Sequence, residues 1–206
     1  MIKKRKQAMI ILLLTALSAH GSGLYAAPLA EGDAAPHLSF RDIDGRQGSS
    51  EEYQTRIIVY SFADRNSNKE LTAWVEKAGL EVARRHPEFK IAYINFADVS
   101  AVPRLFRHVV EPILRHINEK TNKKSRDFYQ RQGVHQDPER FAFHLIPDWD
   151  GEYLKVFGIK DAALYRCWIV VNDLVVATLD PSIPDIEKRF IEIFDNLAVS
   201  RHQDRS

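Results

Sequence analysis

Residues Ile57 to Leu71 read Ile-Ile-Val-Tyr-Ser-Phe-Ala-Asp-Arg-Asn-Ser-Asn-Lys-Glu-Leu, an apolar run that passes without a spacer into a helix start. Such a nearly continuous run suits a central strand covered on both faces, not an edge strand wetted on one. A chain that holds one must build layers on both sides of a sheet, which restricts it to an α/β architecture. The helix that follows is predicted over 68–85, because Leu71, Trp74, Val75, Ala78 and Val82 recur at helical spacing. Ser67 and Glu70 stand three apart at its start and predict a capping box.

The remaining elements follow from the same signals. Leu38 to Ile43 reads as a strand ended by the turn Asp44-Gly45, and Lys90 to Phe96 as a second core strand. From Pro103 to about Asn118, Leu105, Phe106, Val109, Val110, Ile113, Leu114 and Ile117 mark an amphipathic helix that Pro112 should kink or split. Asn118 to Asp137 is polar and reads as exposed, with a short helix near Phe128. Phe141 to Ile146 is a third core strand, ended by the turn Asp148-Trp-Asp-Gly151. Cys167–Val171 and Leu174–Leu179, joined by Asn172-Asp173, form a hairpin. Ser182 and Asp185 are expected to cap a last helix near 184–198, with Phe190, Ile193 and Phe194 on its apolar face. A mixed central sheet is expected from Ile57–Phe62, Ile91–Phe96, Phe143–Ile146, Cys167–Val171 and Leu174–Leu179, in a single domain.

The N-terminus carries a different message. Lys3, Lys4, Arg5 and Lys6, then the apolar run Ala8 to Ala19, then small residues to Ala26 and Ala27 have the layout of a secretory signal peptide, residues 1–26. Twelve apolar residues fall short of the roughly 20 needed to span a bilayer. Export implies a periplasmic protein, with a membrane anchor as the alternative if the segment is retained. Loss of four basic residues and no acidic ones takes the net charge from +1 to −3 over residues 27–206. That balance argues against nucleic acid as a partner. The chain has one cysteine, Cys167, and so no internal disulfide.

The opening Gly32-Asp-Ala-Ala-Pro36 with Asp42-Ile-Asp-Gly45, followed by strand, helix, strand and a terminal hairpin with a helix, resembles the thioredoxin-like proteins of the TlpA and peroxiredoxin type. The junction Asp64-Arg-Asn-Ser-Asn-Lys-Glu70 and the Ile94-Asn95 dyad with Asp98 are similar to the exported YtfJ-type family, where the junction begins with Gly rather than Asp. The resemblance implies a thioredoxin-like three-layer fold over residues 27–206, with a mixed central β-sheet, helices on both faces and a helical insertion at about 101–140. It also implies an exported protein without the Cys-x-x-Cys pair that redox-active members carry at this junction, and it implies no cofactor.

Four groups are candidates for function. Arg65, Ser67, Asn68 and Lys69 surround a helix N-terminus, whose free amides and dipole favour anions, though capping alone also explains these residue types. Cys167 could serve a single-cysteine oxidoreductase, but among Trp168, Ile169 and Val170 a buried structural thiol is the commoner state. His108, His116, His135 and His144 invite a metal reading, against which they read as polar surface residues because no partner helix supplies matching ligands. The basic run 120–131 could touch an anionic membrane or an acidic partner, or simply be solvated. No Ser-His-Asp set or phosphate loop is present. The expected role is a non-catalytic periplasmic binding or accessory module, its partner a periplasmic protein or a small anionic ligand.

Overall fold

The computed structural model describes residues 26–64, 67–160 and 164–203. The expected signal segment therefore lies outside the described residues, except for Ala26. The described elements are β1 (Ser39–Arg41), β2 (Gln47–Ser49), β3 (Ile57–Ala63), α1 (Asn68–Arg85), β4 (Ile91–Asp98), α2 (Arg107–Arg131), β5 (Phe141–Asp148), α3 (Glu152–Val156), β6 (Arg166–Val171), β7 (Leu174–Leu179) and α4 (Ile186–Gln203). The central sheet has the order β5-β4-β3-β6-β7. β3 lies parallel to β4 and antiparallel to β6, β5 is parallel to β4, and β7 is antiparallel to β6. The sheet is mixed, as the order of apolar runs predicts, and all seven residues of its central strand β3 are buried.

Period-two alternation divides the sheet residues between two apolar layers. Ile57, Val59, Cys167 and Ile169 face α1 and α4, which contribute Trp74, Ala78, Val82, Phe190 and Phe194. Burial of each large side chain here contributes roughly 1.5–3 kcal/mol. Ile58, Tyr60, Phe62, Phe96 and Trp168 face the other way, beneath Ala35, Leu38 and Phe40 of the lead-in and Leu154 and Phe157 around α3. The Trp168 indole N–H donates to the Leu29 carbonyl at 3.1 Å, which fastens the lead-in to the sheet.

The central sheet holds the five strands expected for it, and β1 pairs with β2 in a separate hairpin, with Phe40 opposite Gly48. Three expectations are corrected. Pro112 does not split its helix. It sits in the second turn of one continuous 25-residue helix, where it forgoes only the bond to the His108 carbonyl. That helix also absorbs the polar stretch read as exposed loop, running to Arg131. Buried Tyr129 and half-buried Phe128 pin its C-terminal end to the α1 side of the core, so packing overrides a polar local composition. Finally, Ser182 bonds to Asp180 rather than pairing with Asp185, which adopts a positive φ just before α4.

Candidate functional site

The junction between β3 and α1 is closed by its own side chains. The Ser67 amide donates to Asp64 Oδ1 at 2.7 Å, and the Asp64 amide donates to Ser67 Oγ at 3.1 Å. The Ser67 hydroxyl donates to the same carboxylate oxygen at 2.7 Å. This reciprocal pair is a capping box placed one turn earlier than predicted, with Asp64 in the cap position and Ser67 three residues on. The Ser67 side chain makes no cap bond into α1. The difference arises because the amide of Asn68 bonds to the Asp64 carbonyl at 3.0 Å, so helical hydrogen bonding starts at Asp64. Of the anion-site candidates, Ser67 is buried, Asn68 and Lys69 are exposed, and Arg65 lies outside the described residues.

Cys167 lies on β6, in register with Ser61 of β3, and is fully buried. Its environment includes Trp74 and Tyr165 within the α1 layer. Burial pushes the thiol well above its ordinary pKa, so the nucleophilic thiolate is suppressed at neutral pH. Beside it, Ser61 donates to Asn95 Oδ1 at 2.6 Å. That bond ties the Asn95 of the sequence dyad to the central strand.

One constellation escaped the sequence reading. His144, expected at the surface, stands on β5 with its side chain only 10% exposed. Its Nδ1 lies 3.0 Å from Asp42 Oδ2 and its Nε2 lies 2.7 Å from the Tyr53 hydroxyl. The other Asp42 oxygen accepts from the amides of Asp44 and Arg46, which shapes the turn between β1 and β2. The Ile43 amide donates to the Leu145 carbonyl at 2.8 Å, so this turn covers the edge of β5. Desolvation, followed by the Glu52 carboxylate, raises the pKa of Tyr53, so the phenol is not activated. The arrangement holds a hairpin against an edge strand. The turn signal Asp42-x-x-Gly45 was legible, but the three partners are separated by 91 and 102 residues.

Next to this cluster a cleft of about 350 Å³ lies between the β1–β2 turn, α2 and the loop after β5, lined by residues including Arg41, Glu111, Asp148, Trp149, Glu152 and Tyr153. Asp148, one of the lining residues, is buried, and its carboxylate accepts the Leu154 amide at 2.9 Å. Desolvation raises its pKa, against the lowering effect of backbone N–H groups from Leu154, Tyr153 and Glu152. Arg107 holds two of the lining residues, donating to Asp150 at 2.6 Å and to the Trp149 carbonyl at 2.8 Å. His108, His116 and His135 are exposed, and the described residues contain no group of three or more His, Cys, Asp or Glu that could hold a metal.

No protein-family model matches the sequence, and no curated protein matches it. Solved structures do. A solution structure described as a candidate protein disulfide isomerase from Bacteroides thetaiotaomicron superposes with a TM-score of 0.54 at 13% identity, covering 89% of this chain and 99% of that one. The peroxidoxin BcpB from Mycobacterium tuberculosis superposes with a TM-score of 0.52 at 13% identity, covering 82% of this chain and 97% of that one. The fold is thioredoxin-like. At this identity the likeness extends to the backbone and not to the chemistry.

Within the thioredoxin-like fold, the expected place for a redox pair is the β3–α1 junction, and there the described residues are Asp64 and Ser67 in mutual hydrogen bonding. The single thiol is on the neighbouring strand β6, inside the core. Ahead of that strand stand exposed Leu164 and buried Tyr165. Asn68 and Lys69 of the candidate anion site and the thiol are therefore carried by different elements, α1 and β6.

Proposed function

We propose that this protein is an exported, periplasmic thioredoxin-like binding or accessory module that works without thiol chemistry, and that it is of the YtfJ type. The observation that carries the reading is the state of Cys167: it is the only thiol of the chain, it is fully buried, and burial raises its pKa. Disulfide exchange needs an accessible thiolate to attack and, for turnover, a second thiol to resolve the mixed disulfide. The N-terminal layout supports export. The YtfJ assignment rests on the junction residues Asp64 to Glu70 and on Asn95.

The binding role falls to the surface around exposed Asn68 and Lys69, for a periplasmic protein; a small anion held by Arg65, Ser67, Asn68 and Lys69 is the alternative, which a rise in melting temperature with phosphate, abolished by Arg65→Ala, would establish. No metal or cofactor enters the reading. The test has two arms. The purified protein should neither reduce insulin disulfides nor consume peroxide above background, and Cys167→Ala should leave that result unchanged. Turnover abolished by Cys167→Ala would replace this reading with the single-cysteine oxidoreductase. Cell fractionation should place the protein in the periplasm; recovery in the cytoplasm would remove the export half of the proposal.

A further inference from the structure

Helix α2 is attached by one side only. Arg107 holds its first turn to Trp149 and Asp150, the Arg115 guanidinium donates to the Ile43 carbonyl at 3.1 Å, and Tyr129 buries its last turn. The opposite face looks into solvent and is apolar where an outward face should be polar. Leu105, just before the helix, is 74% exposed, and Val109, Ile113 and Ile117 are 46%, 39% and 51% exposed. Continuing the same helical line at intervals of three and four residues, Lys120, Lys124, Asp127 and Arg131 are exposed as well, with Asp127 paired to Lys123 at 3.5 Å. One face thus begins as an aliphatic row and ends as a cationic one.

The charge of this helix opposes that of the rest of the protein. α2 carries seven Lys and Arg against three Asp and Glu, a net of +4, whereas residues 27–206 together carry −3. Such an imbalance orients the molecule toward an anionic surface with α2 in front. The row is convex and aliphatic and lacks Trp, Tyr and Arg anchors at its centre, which a stable protein interface would use. A second copy fits poorly, because a two-fold contact would bring two helices of +4 face to face. Aliphatic side chains beside lysines whose stems can reach outward are the composition of a helix lying in a lipid interface.

We propose that the outward face of α2 docks the protein onto a membrane surface rich in anionic lipid headgroups. Leu105, Val109, Ile113 and Ile117 enter the acyl boundary, and Lys120, Lys124 and Arg131 meet the headgroups. No described helix is long and apolar enough to cross a membrane, so the contact is peripheral. This broadens the expected contact from the basic run 120–131 to the whole outer face of the helix, and it is independent of what the β3–α1 junction binds.

The test is vesicle co-sedimentation of the full chain, so that residues 1–25 are common to every arm. Vesicles contain phosphatidylcholine alone or with one-quarter phosphatidylglycerol. Wild type should partition about tenfold more strongly onto the anionic vesicles, and this preference should fade at about 0.5 M salt. The surface variant Lys120→Glu/Lys124→Glu should lower anionic partitioning about tenfold, and Val109→Ser/Ile113→Ser/Ile117→Ser by a similar factor. Equal partitioning onto both vesicle types, or wild-type partitioning by either variant, would overturn the proposal. So would a wild-type dimer that the serine variant disperses with no change in vesicle binding, which would assign the face to a second copy. Far-UV circular dichroism identifies any variant that fails to fold, and the lysine variant alters exposed residues only.

Discussion

Asp64 and Ser67 cap each other at the head of α1, each backbone amide donating to the other's side chain, at 2.7 Å and 3.1 Å. Nothing in their spacing distinguishes this pair from Ser67 and Glu70, also three apart. The choice between them sets the first turn of α1 and places a carboxylate at the amides where an anion was expected.

Asp64→Ala and Ser67→Ala should each lower stability by about 1 kcal/mol in chemical denaturation, since each removes one half of a reciprocal cap. Because the two residues share their bonds, the double variant should cost less than the sum of the singles. Phosphate or sulfate should leave the melting temperature of wild type unchanged, because the Asp64 carboxylate already holds the Ser67 amide. A rise in melting temperature that Arg65→Ala abolishes would instead establish an anion site at the junction.

Cys167 should be inert in the native state. Ellman's reagent should release no thionitrobenzoate from folded protein at neutral pH and one equivalent after addition of guanidinium, because the thiol is fully buried and its pKa is raised. Rapid native labelling would mean that the β6 region opens readily.

Gly79 of α1 marks where α2 is anchored. A methyl carbon at this position would lie 2.6 Å from the Tyr129 hydroxyl oxygen and 3.3 Å from that of Tyr93. Gly79→Ala gains about 1 kcal/mol of helix propensity and loses more to overpacking, with a net destabilisation of roughly 1–2 kcal/mol. The clash falls on α2, so hydrogen exchange should accelerate in residues 122–131 before it does so in β3. Uniform loss of protection across the sheet would show that α2 is not the element displaced.

Asp148 should give the stability curve a measurable slope. Desolvation raises its pKa in the folded state, so the folded protein binds a proton more readily than the unfolded chain. Stability associated with this group is therefore present at low pH and declines as pH rises from the ordinary carboxylate range through the raised folded value. Asp148→Asn should remove that decline while still accepting a bond from the Leu154 amide. A wild type and variant with parallel stability curves would show that the buried carboxylate does not contribute.

The central architecture was legible in the sequence because its signals are local. The apolar run of β3 is buried on both faces, and the stripe Trp74, Ala78, Val82 faces the sheet. Asn172 and Asp173 both take positive φ between β6 and β7, as a two-residue hairpin turn requires. The extent of α2 was not legible. Residues 118–131 are mostly polar, and it is the packing of Tyr129 and Phe128 against the core that holds helix there. Nor could spacing bring Asp42, His144 and Tyr53 together, since their hydrogen bonds exist only after β5 has joined the sheet.

By itself, the sequence determined the class of fold and the poverty of its thiol chemistry. Strand and helix periods are read from neighbouring residues, and one cysteine cannot form an internal disulfide in any conformation. The burial of Cys167 was expected from its apolar neighbours, whereas the tertiary structure alone decided that Asp64 rather than Glu70 partners Ser67 and that α2 turns an apolar face outward. These outcomes depend on which surfaces are left uncovered once the layers have packed, and burial is a property of the assembled chain.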